Sequence, residues 1–86
     1  MKRLYDGEYC LECGAVATDT HHCFPAANRA KAEEDGLTVR LCRNCHSRMH
    51  DKDAAMLRRY KKWAQIAYEY KHSHEEFMER YGQNFL

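Results

Sequence analysis

The spacing of hydrophobic and polar positions changes period along this chain, and each change marks an element. From Ala15, small and β-branched residues run into Thr20-His21-His22-Cys23-Phe24, an extended segment whose successive side chains point to opposite faces. His21 and His22 therefore diverge, which suits two different tasks. Pro25 fits a helix's first turn, and Ala26 to Glu34 is rich in helix formers up to Asp35-Gly36, where glycine supplies a stop. Leu37-Thr38-Val39-Arg40-Leu41 alternates with period two, the pattern of a half-buried strand with Leu37, Val39 and Leu41 facing the core and Arg40 facing out. Beyond Cys42 the period becomes helical. His46 and His50 share one face, and from Asp51 or Asp53 a longer helix runs to about His72, with Met56, Tyr60, Trp63, Ala64, Ala67 and Tyr70 or Lys71 at helical spacing. Ser73-x-x-Glu76 is a capping-box pattern for a short helix carrying Phe77, Met78 and Tyr81, with Gly82 as its stop. Phe85 and Leu86 are expected to pack rather than dangle.

Length changes this picture first. Eighty-six residues allow one domain, 1–86, and so short a chain buries too little surface to be comfortably stable on apolar packing alone. A staple is expected. The five cysteines include two C-x-x-C pairs, Cys10/Cys13 and Cys42/Cys45, and an odd count with this spacing favours structural zinc in a reducing compartment over disulfides. Cys10 to Gly14 has the form of a zinc knuckle, its glycine accepting a backbone conformation other residues resist. A redox C-x-x-C is disfavoured because no βαβ pattern surrounds the motif. Cys23 is the spare, read as a small buried apolar residue rather than a replacement ligand.

The arm Met1 to Glu8 starts with two basic residues, but Asp6, Gly7 and Glu8 stand where a signal peptide would need an apolar run. No stretch approaches membrane-spanning length, so the expectation is a soluble, cytoplasmic protein. A net charge of +1 says nothing of nucleic acid by itself. Its distribution places a basic run, Arg58-Arg59-Tyr60-Lys61-Lys62, in the second half; a solvated helix face and a DNA footprint are both open for it.

A strand and a helix, each tied to a zinc knuckle, can gather the histidines into one cluster. For a lone histidine an ordinary polar role would be preferred. Four on two elements bracketed by knuckles point to a second, catalytic metal site.

With Cys10-x-x-Cys13, His21-His22, Leu41-Cys42-x-x-Cys45-His46 and His50, the sequence resembles the HNH (ββα-metal) nuclease superfamily in its zinc-knuckle, treble-clef-like form. It is also similar to small phage or prophage proteins of HNH type, through His21 to Phe24, Asn28-Arg29 and Gly36 to Cys42. The resemblance implies a small, zinc-stapled α+β domain: a ββα-metal core over 10–50 and a C-terminal helical extension over 51–86. It places the general base on His22 and the catalytic metal ligands on His21, His46 and His50, with structural zinc on Cys10, Cys13, Cys42 and Cys45. The family's central asparagine has no counterpart. An ungapped reading puts Leu37 there, leaving Asn28, Asn44 or a backbone carbonyl to orient the base.

The implied activity is metal-dependent hydrolysis of DNA phosphodiester bonds in a bacterial cytoplasm, by a chain of phage origin where the closer resemblance holds. Neutral His22, with an unperturbed pKa of about 6.5, can take a proton from water. Three imidazoles form a borderline-soft site, which predicts nickel, cobalt, manganese or zinc above magnesium; Asp19 or Asp51 could join the shell. Arg40, Arg43 and Arg48 are candidate phosphate contacts, extended by Arg58, Arg59, Lys61 and Lys62. The tail's apolar face, with Tyr60, Trp63, Tyr68, Tyr70 and Phe77, is expected to pack on the ββα unit, a homodimer interface being the alternative. A rival class is a non-catalytic zinc module that binds nucleic acid or protein, because fold does not fix function.

Overall fold

In the computed structural model, which describes residues 3–86, the alternating segments form an antiparallel pair, β1 (Asp19–His22) and β2 (Thr38–Leu41). The register sets Asp19 opposite Leu41, Thr20 opposite Arg40, His21 opposite Val39 and His22 opposite Thr38. Paired residues share a face. Asp19, His21, Val39 and Leu41 therefore stand on one side of the sheet, and Thr20, His22, Thr38 and Arg40 on the other.

β2 is hydrogen-bonded on both of its edges. Its Leu37 and Leu41 carbonyls accept from Cys23 and Thr18 on the β1 side, while the carbonyls of Gly36, Thr38 and Arg40 accept from Leu4, Tyr5 and Leu11 of the N-terminal arm and first knuckle. Two strands make a marginal sheet alone; the arm supplies a third layer of pairing and covers the edge. Met1 and Lys2, which open the expected arm, lie outside the described residues.

Between the strands the chain makes a short 3-10 turn (Ala26–Asn28) and then helix α1 (Arg29–Asp35). Pro25 is extended rather than inside the first helical turn, and the helix proper starts later than the sequence suggests. Gly36 caps it with a φ of 71°, the left-handed geometry in which a side chain is strained. Helix α2 (Arg43–Lys52) begins directly from the second knuckle, with Cys42 as its N-cap. Asp53 then breaks the helical path and caps α3 (Ala54–Glu69), its side chain accepting from the Met56 amide. Helix α4 (His74–Tyr81) opens with a complete capping box between Ser73 and Glu76.

One buried cluster runs from Cys10 through Phe24, Leu37, Val39, Leu41 and Met49 to Met56, Tyr60, Ala64, Phe77 and Tyr81. Its tail half is aromatic. Phe24, two residues past His22, packs against Tyr81, Phe85 and Phe77 at 4.6, 5.2 and 5.7 Å between ring centres. The tail also grips α1: Asn28 and Lys31 donate to the Tyr81 and Arg80 carbonyls, and Arg80 and the Tyr81 hydroxyl donate to Asp35.

Two expectations for the tail are corrected. Trp63 and Tyr70 are not core residues; they are 42% and 86% exposed. The buried row of α3 is Met56, Tyr60 and Ala64, a four-residue repeat, and Trp63 lies a quarter-turn off it beside the Arg59 guanidinium, 5.3 Å from the ring centre. Tyr70 lies past the end of α3, which stops at Glu69 rather than near His72. Gln65, buried although polar, meets its needs by donating to Glu69 and Asn84 and accepting from the Phe85 amide. Among the described residues no helix is long and apolar enough to cross a membrane.

Candidate metal centre

The two knuckles flank the strand pair in the chain and meet in space. The sulfurs of Cys10, Cys13, Cys42 and Cys45 all lie within 4.8 Å of one another, with Cys13 and Cys42 at 3.6 Å. A tetrahedral ion with bonds of about 2.3 Å to sulfur separates neighbouring sulfurs by about 3.8 Å; the Cys13–Cys42 pair stands close to that spacing and the other pairs lie within 4.8 Å. Local sequence produces this. Gly14, at a φ of 81°, lets the chain turn back so that Cys10 exchanges backbone hydrogen bonds with Gly14 and Ala15, and the Cys42 sulfur accepts from the Cys45 amide as α2 begins. Burial works against a charge on Cys10, but the amides of Cys42, Cys13 and Glu12 aimed at it prevail and bring its thiol down to about 6. Burial beside the other three sulfurs pushes Cys45 up to about 12. Four thiolates cannot share this space unaided. A dication that holds all of them deprotonated fits the donor set, and these four cysteines could hold a structural metal such as zinc.

Side-chain alternation puts His21 on the core face of β1, only 3% exposed, where it meets α2. Its ring centre lies 5.4 Å from that of His46 and 5.6 Å from that of His50, and one nitrogen from each of the three falls within 4.8 Å of the others. The Nε2 atoms of His46 and His50 are 3.3 Å apart, the edge a tetrahedral ion sets with bonds of about 2.05 Å to nitrogen. His21 Nε2 is buried with no hydrogen-bond partner. A buried polar atom left alone costs about 1–3 kcal/mol, and the ring that carries this one packs edge-on against two other imidazoles. Burial, with His46 and His50 alongside, pushes His21 down to about 3, so the ring is neutral and its lone pair is free to ligate.

Asp19, two residues before His21 on the same face, accepts from His46 Nδ1 at 2.9 Å and from the Arg43 guanidinium. That contact protonates Nδ1 and leaves Nε2 of His46 turned to the cluster. Hydrogen bonds from His46, Arg43 and Thr18 outweigh burial and hold the Asp19 carboxyl at about 2. Asp19 thus backs the cluster rather than joining it.

His22 points to the opposite face. Its Nε2 is 2.8 Å from Glu33 Oε2 of α1, a residue the sequence did not single out; Arg3 and His22 together hold that carboxyl at about 2. Asn28 donates to the Tyr81 carbonyl instead, and Asn44 is exposed on α2. A cleft of about 220 Å³ opens over the four histidines, walled by Thr20, Pro25, Ala26 and Arg29. Ala26 sits there at a φ of 57°, a left-handed conformation that costs a side chain roughly 1–2 kcal/mol. A larger groove of about 470 Å³ between the arm and α3 contains no comparable cluster.

The candidate cations divide into engaged and free. Arg40 donates to Thr20 and the Ala17 carbonyl, and Arg43 to Asp19. Arg59 pairs with Glu12, which also accepts from the buried Tyr60 and so ties the first knuckle to α3. Lys61 lies over the Phe85 ring and close enough to depress His21. Arg29, Arg48, Arg58 and Lys62 are exposed, and none has an ion-pair partner among the described residues. Cys23, fully buried with its thiol pushed up to about 12, is an inert packing residue. Comparison with known protein families, curated proteins and solved structures returned no match.

Proposed function

We propose that β1, β2 and α2 form a ββα-metal unit of the HNH kind and that the chain is a metal-dependent DNA endonuclease. The observation that carries this reading is the buried His21 ring, which has an orphaned Nε2 and is gathered with His46 and His50 into one cluster of ring nitrogens. A binding module has no use for three convergent imidazoles, one of them carrying a buried, unpaired nitrogen, beside a cysteine site that already staples the fold.

Cys10, Cys13, Cys42 and Cys45 hold zinc and fix the start of α2 against the sheet. His21, His46 and His50 bind the catalytic cation, and the cleft above them admits a phosphodiester. A divalent cation held by these three imidazoles would supply positive charge against the negative charge that develops as the phosphodiester is attacked. His22 takes a proton from water, the hydroxide adds to phosphorus, and the bond from phosphorus to the 3′ oxygen breaks. The products carry a 5′ phosphate and, once the leaving oxygen is protonated, a 3′ hydroxyl. Arg29, on the wall of the cleft, and Arg48 bind flanking phosphates; Lys61 and Lys62 extend the footprint along α3. Arg40 and Arg43 order the site from within instead.

The test is nicking of supercoiled plasmid by purified protein in magnesium, manganese, cobalt, nickel and zinc. Nitrogen donors predict cleavage with manganese, cobalt, nickel or zinc above that with magnesium. Strict magnesium dependence would refute the three-imidazole ligand set, and inactivity with every metal on plasmid, single-stranded and branched DNA would refute the nuclease.

The carboxylate behind His46 gives a separate check. Asp19→Asn keeps the shape but weakens the acceptor that orients the ring, and outer contacts of this type are worth roughly 10–100-fold in metal affinity. Calorimetric titration of zinc-stapled protein with cobalt or nickel is expected to lose affinity in that range. Unchanged affinity would remove His46 from the ligand set.

A further inference from the structure

We propose that Glu33 is the positioning residue for His22, accepting its Nε2 proton and thereby presenting Nδ1 as the lone pair that receives the proton of water. The role rests on the nuclease reading, but the geometry behind it does not. A carboxylate can only accept, and a neutral imidazole carries one donor and one acceptor nitrogen. The 2.8 Å contact between His22 Nε2 and Glu33 Oε2 therefore fixes the tautomer. Nδ1 is left as the acceptor, on a ring that walls the cleft shared with His21, His46 and His50.

The carboxylate is itself held. Arg3 donates to both Glu33 oxygens, at 2.6 and 3.0 Å, and to the Thr38 hydroxyl at 2.9 Å. Thr38 is the residue directly opposite His22 in the strand register. His22, Glu33, Arg3 and Thr38 thus close a ring of contacts on one face of the sheet, and a rotation of any one breaks a bond made by another. Arg3 also occupies both oxygens of Glu33, which keeps this carboxylate on the base and out of the histidine cluster.

The backbone under Glu33 is braced from the other side. Arg80 bonds Glu34 and Asp35, and Lys31 and Asn28 bond the end of α4. This assigns the helical tail a part in the chemistry: α4 and Phe24 anchor α1 and the end of β1, the two elements that carry Glu33 and His22. The side chain that reaches the His22 ring thus comes from the connecting helix, whereas neither Asn28 nor Asn44 does so.

The test separates positioning from a merely structural ion pair. Glu33→Ala removes the acceptor, while Glu33→Gln removes the charge that pairs with Arg3 but keeps a carbonyl oxygen at the same reach. In zinc-loaded protein at a pH where His22 is neutral, long-range ¹H–¹⁵N correlation of the imidazole is expected to report protonated Nε2 in wild type and in Glu33→Gln. In Glu33→Ala the two tautomers mix. kcat for plasmid nicking is expected to fall roughly 10–100-fold in Glu33→Ala, the scale of an outer-shell orienting contact, with KM little changed and most of the rate restored in Glu33→Gln.

A wild-type ring with the proton on Nδ1 would overturn the proposal, as would a Glu33→Ala protein that keeps both tautomer and kcat. Equal damage in the Gln and Ala variants would reduce Glu33 to a partner of Arg3. Failure of the nuclease reading looks different: wild type would cut nothing with any metal, while the tautomer, which needs no activity to be read, would still be as stated.

Discussion

His22→Ala is expected to abolish metal-dependent nicking, with a loss of about 10²–10⁴-fold, the usual contribution of a general base. Few losses of this size can be assigned to one role, because removing an active-site residue commonly disturbs the metal or the fold as well. Here the strand pleat separates those effects. His21 stands on the core face with the other imidazoles, whereas His22 is on the opposite face against Glu33. Truncating His22 removes no proposed ligand and takes nothing from the buried cluster. Glu33, which loses its histidine, remains bonded to Arg3 through both oxygens, so no carboxylate is stranded. The variant is therefore expected to keep its zinc, its circular dichroism and its affinity for cobalt or nickel while losing turnover. His50→Ala is expected to lose turnover together with that affinity. Cleavage that survives in His22→Ala but vanishes in His50→Ala would place the base elsewhere.

The sequence carried the parts of this site that depend on spacing between near neighbours. Two C-x-x-C pairs, the His21-His22 alternation and the four-residue step from His46 to His50 each follow from the geometry of a turn, a strand or a helix, and the sulfur and nitrogen clusters appear where those geometries place them. The residues it did not disclose act across the fold. Glu33 reads as one of several acidic residues at the end of a helix, and only the packing of α1 on the sheet makes it a partner of His22. Asp19 could be named as a candidate but not assigned, because its bond to His46 spans 27 residues. Arg40 and Arg43 read as free cations until their partners, Thr20 and Asp19, are in place. Trp63 matched an apolar periodicity that α3 satisfies with Met56, Tyr60 and Ala64 instead. Short-range pattern fixed the donors here, and long-range packing decided what each polar side chain answers to.

Removing the metal from the four cysteines is expected to unfold the chain rather than merely loosen it. Structural zinc contributes roughly 10–16 kcal/mol at neutral pH in small domains, against a total stability of about 5–15 kcal/mol for an ordinary domain. The sheet has two short strands, and the sulfur cluster joins the segment before β1 to the start of α2 after β2. Without it that junction keeps the Arg43–Asp19 and Arg59–Glu12 ion pairs, whose arginines are exposed and which therefore contribute little, and the four sulfurs left together include one driven towards its charged form and one driven away from it. A chelator strong enough to strip zinc, or Cys45→Ser at a position 4% exposed, is expected to collapse the helical circular dichroism and the cooperative thermal transition. Readdition of one equivalent is expected to restore both in wild type. The loss must reach the second site as well, since α2 starts at Cys42 and Cys45 and carries His46 and His50; cobalt or nickel affinity at the histidines is expected to disappear with the zinc. A stripped protein that keeps its dichroism, its melting transition and its histidine-site affinity would show that apolar packing alone holds the fold. The cysteine cluster would then be no staple, and the dependence of the histidine geometry on it would have to be given up.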